Sequence, residues 1–207
     1  MSDSNQLVVC GIGTGVGKTL VSTLLTAGLG ATYWKPVQTG TDTGDSDTEW
    51  VRSQLNLPPN RVLPERYALP LPESPHYAAE QANIEIDDRE LTVPTVSGPL
   101  IIEGAGGVMV PLNRRYLYID ILQRWKIPIV LVARLYLGAI NHTLLTLEAL
   151  EQRNIPVRGI VFNGAPYPSV EEIIPDFSPV PILGRVPELD LSQPQNWSAL
   201  CKEYIRL

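Results

Sequence analysis

The sequence predicts an α/β fold, a mainly parallel sheet covered by helices on both faces, and three observations carry it. Short apolar runs recur along the chain, several of them continuously apolar rather than alternating, as strands buried on both faces are. Stretches of helical period lie between these runs, and strands alternating with helices imply parallel crossover connections. A glycine-rich segment joins the first apolar run to the first helical stretch.

In chain order the candidate strands are "LVVC" (7–10), "TYWK" (32–35), "PLIIE" (99–103), "IVLVA" (129–133), "VRGIVFN" (157–163) and "ILGRV" (182–186). The candidate helices are Lys18–Leu29, which carries an apolar stripe, Tyr118–Arg124, and the amphipathic run Leu144–Arg153. The 19 prolines gather in the connections, above all in "NLPPNRVLPERYALPLPESPH" (56–76), which reads as one long excursion over the sheet edge. Nothing repeats and no linker divides the chain, so residues 1–207 are expected to form one domain. Ligands of such sheets sit at the carboxyl ends of the strands.

Composition removes several classes of function. Hydrophobic residues make up 44% and charged residues 18% of 207, enough for a packed core. A net charge of −6 argues against a nucleic-acid partner, which needs a basic face. No apolar run is long enough to span a bilayer, and "MSDSNQ" lacks a signal-peptide pattern, so a cytoplasmic protein is expected. Cys10 and Cys201 have no metal-ligand spacing, and two histidines make a histidine-built zinc site a poor reading.

"CGIGTGVGKTL" follows a strand and opens a helix, the context in which a phosphate-binding loop has meaning. Its glycines let backbone amides converge on phosphate oxygens, and the helix N-terminus adds favourable partial charge. Lys18, an exposed loop lysine on this reading, would reach the β- and γ-phosphates, and the Thr19 hydroxyl would ligate magnesium. The strict G-x-x-x-x-G-K-[ST] pattern is missed by one position, because Ile12 stands where it requires glycine and Gly11 comes one residue early.

Other chemistry gathers at strand ends. Proline after Lys35 in "YWKPVQTG" biases that lysine to extended backbone, placing Lys35 and Thr39 on the same rim as the loop or leaving an ordinary solvated lysine. In "TGDSDTEW" one of Asp45, Asp47 and Glu49 could ligate magnesium, or the segment is a solvated helix start capped by Asp45 or Ser46. In "PLIIEGAGGVMVPL" Glu103 ends an apolar strand, suited to a second magnesium ligand or to a plain glycine turn. "RLYLGAINHTLLT" puts Gly138 and Asn141 at a helix start whose free amides could hold an anion, with Asn141 also plausible as a cap-region residue. Asn163 in "VFNGAP" could read an adenine edge or begin a turn. His76 and His142 carry no evident acid–base partner.

Together, "GIGTGVGKT", "WKPVQTG", "EGAGGVMVPL", "LGAINHTLLT" and "VFN", with "SPH" at 74–76, closely resemble the dethiobiotin synthase family, in the family's order from residue 7 to about residue 190. The displaced leading glycine is what that family shows. The resemblance implies a P-loop ATP-dependent enzyme that carboxylates diaminononanoate with CO2 and closes a ureido ring, with magnesium as cofactor. By the match, Lys18 and Lys35 are catalytic, and Thr39, Gly138 and Asn141 meet the substrate. ATP falls to Gly13, Thr14, Gly15, Val16, Gly17, Lys18, Thr19 and Leu20, to Asp47, Glu103, Gly104, Ala105 and Gly106, and to Asn163, Gly164, Pro187, Glu188 and Leu189. Magnesium falls to Thr19, Asp47 and Glu103. A homodimer with shared active sites is implied, because the segment at Gly138 and Asn141 serves the neighbouring subunit in the family. The chain departs from its relatives at Gly15, often glutamate there, at Thr39, commonly serine, and in a shorter segment after Asn163. The alternatives are a cobyrinate-synthase-like domain, which would bring a glutaminase this chain has no room for, and a regulatory ATPase of the partitioning type. The latter typically carries an extra lysine where this chain has Gly11 and Ile12.

Overall fold

The computed structural model describes residues 5–44 and 46–207, so the reading of Asp45 lies outside the described residues. Seven strands form one sheet in the order β4-β2-β6-β1-β7-β8-β9, and every pairing in it is parallel. These are β1 (Gln6–Gly11), β2 (Thr32–Trp34), β4 (Val62–Leu63), β6 (Leu100–Gly107), β7 (Ile129–Arg134), β8 (Val157–Asn163) and β9 (Ile182–Val186). A second, two-stranded parallel sheet joins β3 (Val37–Thr39) to β5 (Tyr67–Leu69).

The alternation of each strand divides the core into two layers. Val8 and Cys10 of β1 join one buried cluster, while Val9 joins the other. The first layer holds side chains of α3 (Pro75–Gln81), α4 (Tyr118–Trp125), α5 (Ala139–Glu151), α6 (Pro168–Glu171) and α7 (Ile174–Phe177). The second holds α1 (Lys18–Gly28), α2 (Asp47–Leu55) and α8 (Trp197–Tyr204). Helices therefore cover both faces, and the strands, buried twice over, have no need of a polar alternate position.

Two expectations require correction, and one helix start is fixed by a glycine. The segment 56–76 is not a single excursion, because it contributes β4 at the sheet edge and β5 of the small sheet. Those strands have two and three residues, too short for a periodic signal, and prolines flank them as befits an edge. Helix α5 begins at Ala139, where the Gly138 reading put its start and ahead of the amphipathic run, because Gly138 (φ 107°) takes the left-handed conformation that opens it. Glu103 does not end its strand: β6 continues through the glycines to Gly107, with Glu103 opposite Val9 of β1. The chain's small residues there permit a strand interior as readily as a turn.

Candidate active site

The carboxyl ends of β1, β2 and β6 converge on a cavity of about 720 Å³. Helix α1 starts there, opened by Gly17 in the left-handed conformation (φ 98°). A side chain at position 17 would collide with Asn163 Nδ2, 2.1 Å from where its Cβ would lie, so glycine is required for space as well as for backbone conformation. Asn163 stands that close because its Nδ2 donates to the Val16 carbonyl at 2.9 Å, tying the loop to the end of β8.

Both lysines are buried, which corrects the reading of Lys18 as exposed and, of the two readings of Lys35, removes the solvated one. Lys18 Nζ donates to the Gly13 carbonyl at 3.0 Å and has no carboxylate partner of its own among the described residues. Burial, reinforced by the Lys35 charge, holds its pKa below the usual lysine value. Lys35 Nζ instead bridges two carboxylates, Asp47 Oδ2 at 2.5 Å and Glu103 Oε1 at 2.9 Å. Burial pulls the Lys35 pKa down, but Glu103 and Asp47 together outweigh it and the pKa rises above the ordinary value. Burial likewise raises Asp47, and Lys35 with the Thr19 hydrogen bond outweighs it, leaving Asp47 below its ordinary value.

Three hard oxygens meet beside these lysines. Thr19 Oγ1 lies 2.7 Å from Asp47 Oδ1 and 2.9 Å from Glu103 Oε1. A threonine hydroxyl has one proton, so it can serve only one of those carboxylates fully. Two carboxylates and a hydroxyl are a donor set suited to a hard divalent cation such as magnesium, and the residues fit that ion. Asp47 is brought there by the helix start that Ser46 caps, its hydroxyl accepting from Glu49 N at 3.3 Å, and its own N–H donates to Gln38 Oε1.

Of the expected site residues, Thr14, Gly15, Val16, Gly17, Lys18, Thr19, Lys35, Thr39, Asp47, Glu103, Ala105 and Gly106 line the one cavity. Gly13 borders it as the acceptor of Lys18. Leu20 follows on α1 and faces an adjoining cavity that shares Thr19 and Asp47. A side chain at Gly104 would press on Tyr118, 3.2 Å from where its Cβ would lie, and Gly104 is not among the cavity-lining residues. Asn163 and Gly164 lie beside the β9 end, where the Gly164 N–H donates to Val186 O and the chain runs on through Pro187, Glu188 and Leu189. Gly138 and Asn141 are exposed at the start of α5 and do not line the cavity. Cys10, buried behind the loop, has its thiol pushed up to about 12 by burial and so stays protonated at neutral pH. His76 pairs with Ser74 Oγ and His142 with the Tyr136 hydroxyl, so neither stands at the lysines.

Two participants escaped the sequence reading. Gln38 braces the Asp47 helix start, and the Tyr33 hydroxyl donates to Glu103 Oε2 at 2.9 Å. For Tyr33 a signal was available: residues two apart in a strand share a face, and Tyr33 is two before Lys35.

This geometry can be set beside known proteins. A family model described as an AAA domain matches residues 5–196. The ATP-dependent dethiobiotin synthetase BioD of Afipia carboxidovorans is 51% identical over 193 residues, covering 93% of this chain and 91% of that protein. The chain belongs to the dethiobiotin synthetase family. Members of the same name from Brucella anthropi and Rhodopseudomonas palustris are 49% and 50% identical, over 90% and 89% of this chain and 87% and 88% of theirs. The fold of this synthetase-family chain is also similar to the crystal structure of a ParA family ATPase from Chlorobium tepidum, with a TM-score of 0.58 over 98% of this chain and 90% of that one. At 12% identity that likeness shows the fold alone.

Proposed function

We propose that this chain makes dethiobiotin, joining 7,8-diaminononanoate and CO2 at the expense of ATP. The observation that carries the reading is the meeting, in one cavity, of a phosphate loop, two buried lysines and the Thr19–Asp47–Glu103 oxygens. Lys18, which lacks a carboxylate partner, is suited to the γ-phosphate. Lys35 is suited to the carbamate formed from one substrate amine and CO2, and to the phosphoryl group that the carbamate oxygen accepts. The second amine then attacks the resulting mixed anhydride, phosphate leaves and the ring closes. Negative charge develops on oxygen at each step, so fixed cations and loop amides serve better than an acid–base pair.

Thr19, Asp47 and Glu103 would hold magnesium, which when bound neutralises phosphate charge. Thr39, on the cavity wall, is placed to meet the diamine. Asn163 keeps Oδ1 for an adenine amino group, since its Nδ2 already serves Val16. We read Gly13 to Leu20, Gly104 to Gly106, Gly164 and Pro187 to Leu189 as the remaining nucleotide contacts. Residues 1–207 act as one domain on this reading, and two copies pair so that Gly138 and Asn141 of each serve the other's cavity. The exposed α5 start, with Leu137 89% exposed, supports that pairing. No helix among the described residues is long and apolar enough to cross a membrane, in keeping with a cytoplasmic enzyme.

The test is dethiobiotin formation and phosphate release with ATP, magnesium, bicarbonate and diaminononanoate, each omitted in turn. Every omission should abolish product. Phosphate release that is indifferent to the diamine would count against the synthase reading.

A further inference from the structure

We propose that Tyr33 is a positioning residue for Glu103, holding one carboxylate oxygen so that the other faces Thr19, Lys35 and a bound cation. The proposal rests on the reading of Thr19, Asp47 and Glu103 as magnesium ligands. In register, Tyr33 of β2 lies opposite Ile101 of β6, and Glu103 is two residues further along on the same face. The phenol therefore spans from one strand to the next and reaches Glu103 Oε2 at 2.9 Å. Oε1 takes Thr19 and Lys35, each at 2.9 Å, and Oε2 takes Tyr33 alone among the described residues.

Glu103 and Tyr33 are both fully buried. A buried carboxylate oxygen without a donor is costly, and the terminal carboxylate torsion is broad, so an unheld Glu103 would turn. Burial, with Glu103 and Asp47 nearby, keeps the Tyr33 pKa well above its ordinary value, and the phenol remains a donor. Were bulk in this core layer all that position 33 supplied, an aliphatic residue like its neighbours Val9 and Ile101 would suffice and would bring no polar atom. Partners of this kind, acting through a metal ligand, typically alter metal affinity by roughly 10–100-fold.

The experiment measures Mn2+ binding by electron paramagnetic resonance, with a non-hydrolysable ATP analogue, for the wild type, Tyr33→Phe, Glu103→Gln and the double variant. The expected result is Mn2+ affinity lowered roughly 10–100-fold in Tyr33→Phe, with the half-maximal magnesium concentration for turnover raised by the same factor. In the Glu103→Gln background the Tyr33 substitution should add nothing. Wild-type affinity in Tyr33→Phe beside weakened Glu103→Gln overturns the proposal and leaves the metal site standing. Wild-type affinity in Glu103→Gln overturns the metal site and the proposal with it. If Tyr33→Phe does not fold, the double variant decides against Glu103→Gln, which shares its loss of the carboxylate charge: equal Mn2+ affinity in the two upholds the coupling, and a further loss in the double variant refutes it.

Discussion

Replacing Lys35 with alanine should first be felt as lost stability, before any substrate is present. The ammonium lies between Asp47 and Glu103, and Glu103 has no exposed side-chain surface at all. Removing one partner of a buried ion pair costs about 3–5 kcal/mol, because the other charge stays buried. Asp47 keeps 31% of its side chain exposed, so water screens part of the repulsion, and about 3 kcal/mol is the appropriate figure. For a chain of this length that is a fall of roughly 6–12 °C in melting temperature. Magnesium should return much of it, since a hundredfold excess over its dissociation constant adds about 2.7 kcal/mol to a folded state that binds it. The wild type should gain less, because its own ammonium shares Glu103 Oε1 with the cation and already neutralises the two carboxylates. Differential scanning calorimetry of both proteins, with and without magnesium, makes the comparison. An unchanged melting temperature in Lys35→Ala, or an equal magnesium gain in both proteins, would refute the argument that the lysine neutralises the carboxylates that hold the cation.

Lys18→Ala should keep the fold and lose turnover by roughly 100–1,000-fold, as removal of one group that stabilises developing charge does, and normal activity in the folded variant would remove the phosphate-loop assignment. Phosphate contact should raise the depressed Lys18 pKa, so ATP binding at alkaline pH below the ordinary 10.5 should take up protons. Calorimetry in buffers of different ionisation enthalpy reads that uptake, which Lys18→Ala should lose. Asp47 has its folded pKa below its ordinary 3.8, so its stabilisation is complete above that value and fades as pH falls through the folded one. Urea titrations should accordingly show the gap between wild type and Asp47→Asn closing on acidification below 3.8, and a constant gap would contradict the sign. Mixing Lys35→Ala with Gly138→Trp subunits should restore part of the activity that each homodimer lacks. No recovery after proven exchange would overturn the shared site.

The parts of this fold that the sequence reveals are those whose physics is local. β8 and β9 run over the residues that their largely apolar runs mark, and in β8 Gly159 to Phe162 is continuously buried with Arg158 exposed before it. β4 and β5 are invisible by the same reasoning: two or three residues hold no period, and their partners lie far off in the chain. At the site, the residue types and their strand-end places are readable, whereas the burial of Lys18 and Lys35 is not. Lys35 is enclosed by Asp47 of α2 and Glu103 of β6, a meeting of distant segments that no single one encodes. Glu103 reads as the last residue of its strand only because the glycines after it look like a turn. Tyr33 reads as core: its spacing from Lys35 marks the face it shares, but the carboxylate it meets is 70 positions away.

The strand order also governs when, during synthesis, the catalytic residues can meet. β1 and β2 emerge early, yet they never touch, because β6 lies between them. Until about residue 107 has left the ribosome, the half-made chain shows unpaired edges on both strands, the form of intermediate most prone to wrong pairing. Insertion of β6 fills that gap like a keystone. It also carries in Glu103, the acid that joins Thr19, Tyr33 and Lys35. The joining of β1 to β2 and the assembly of the reactive centre are thus one event, and a nascent chain stalled short of β6 has neither.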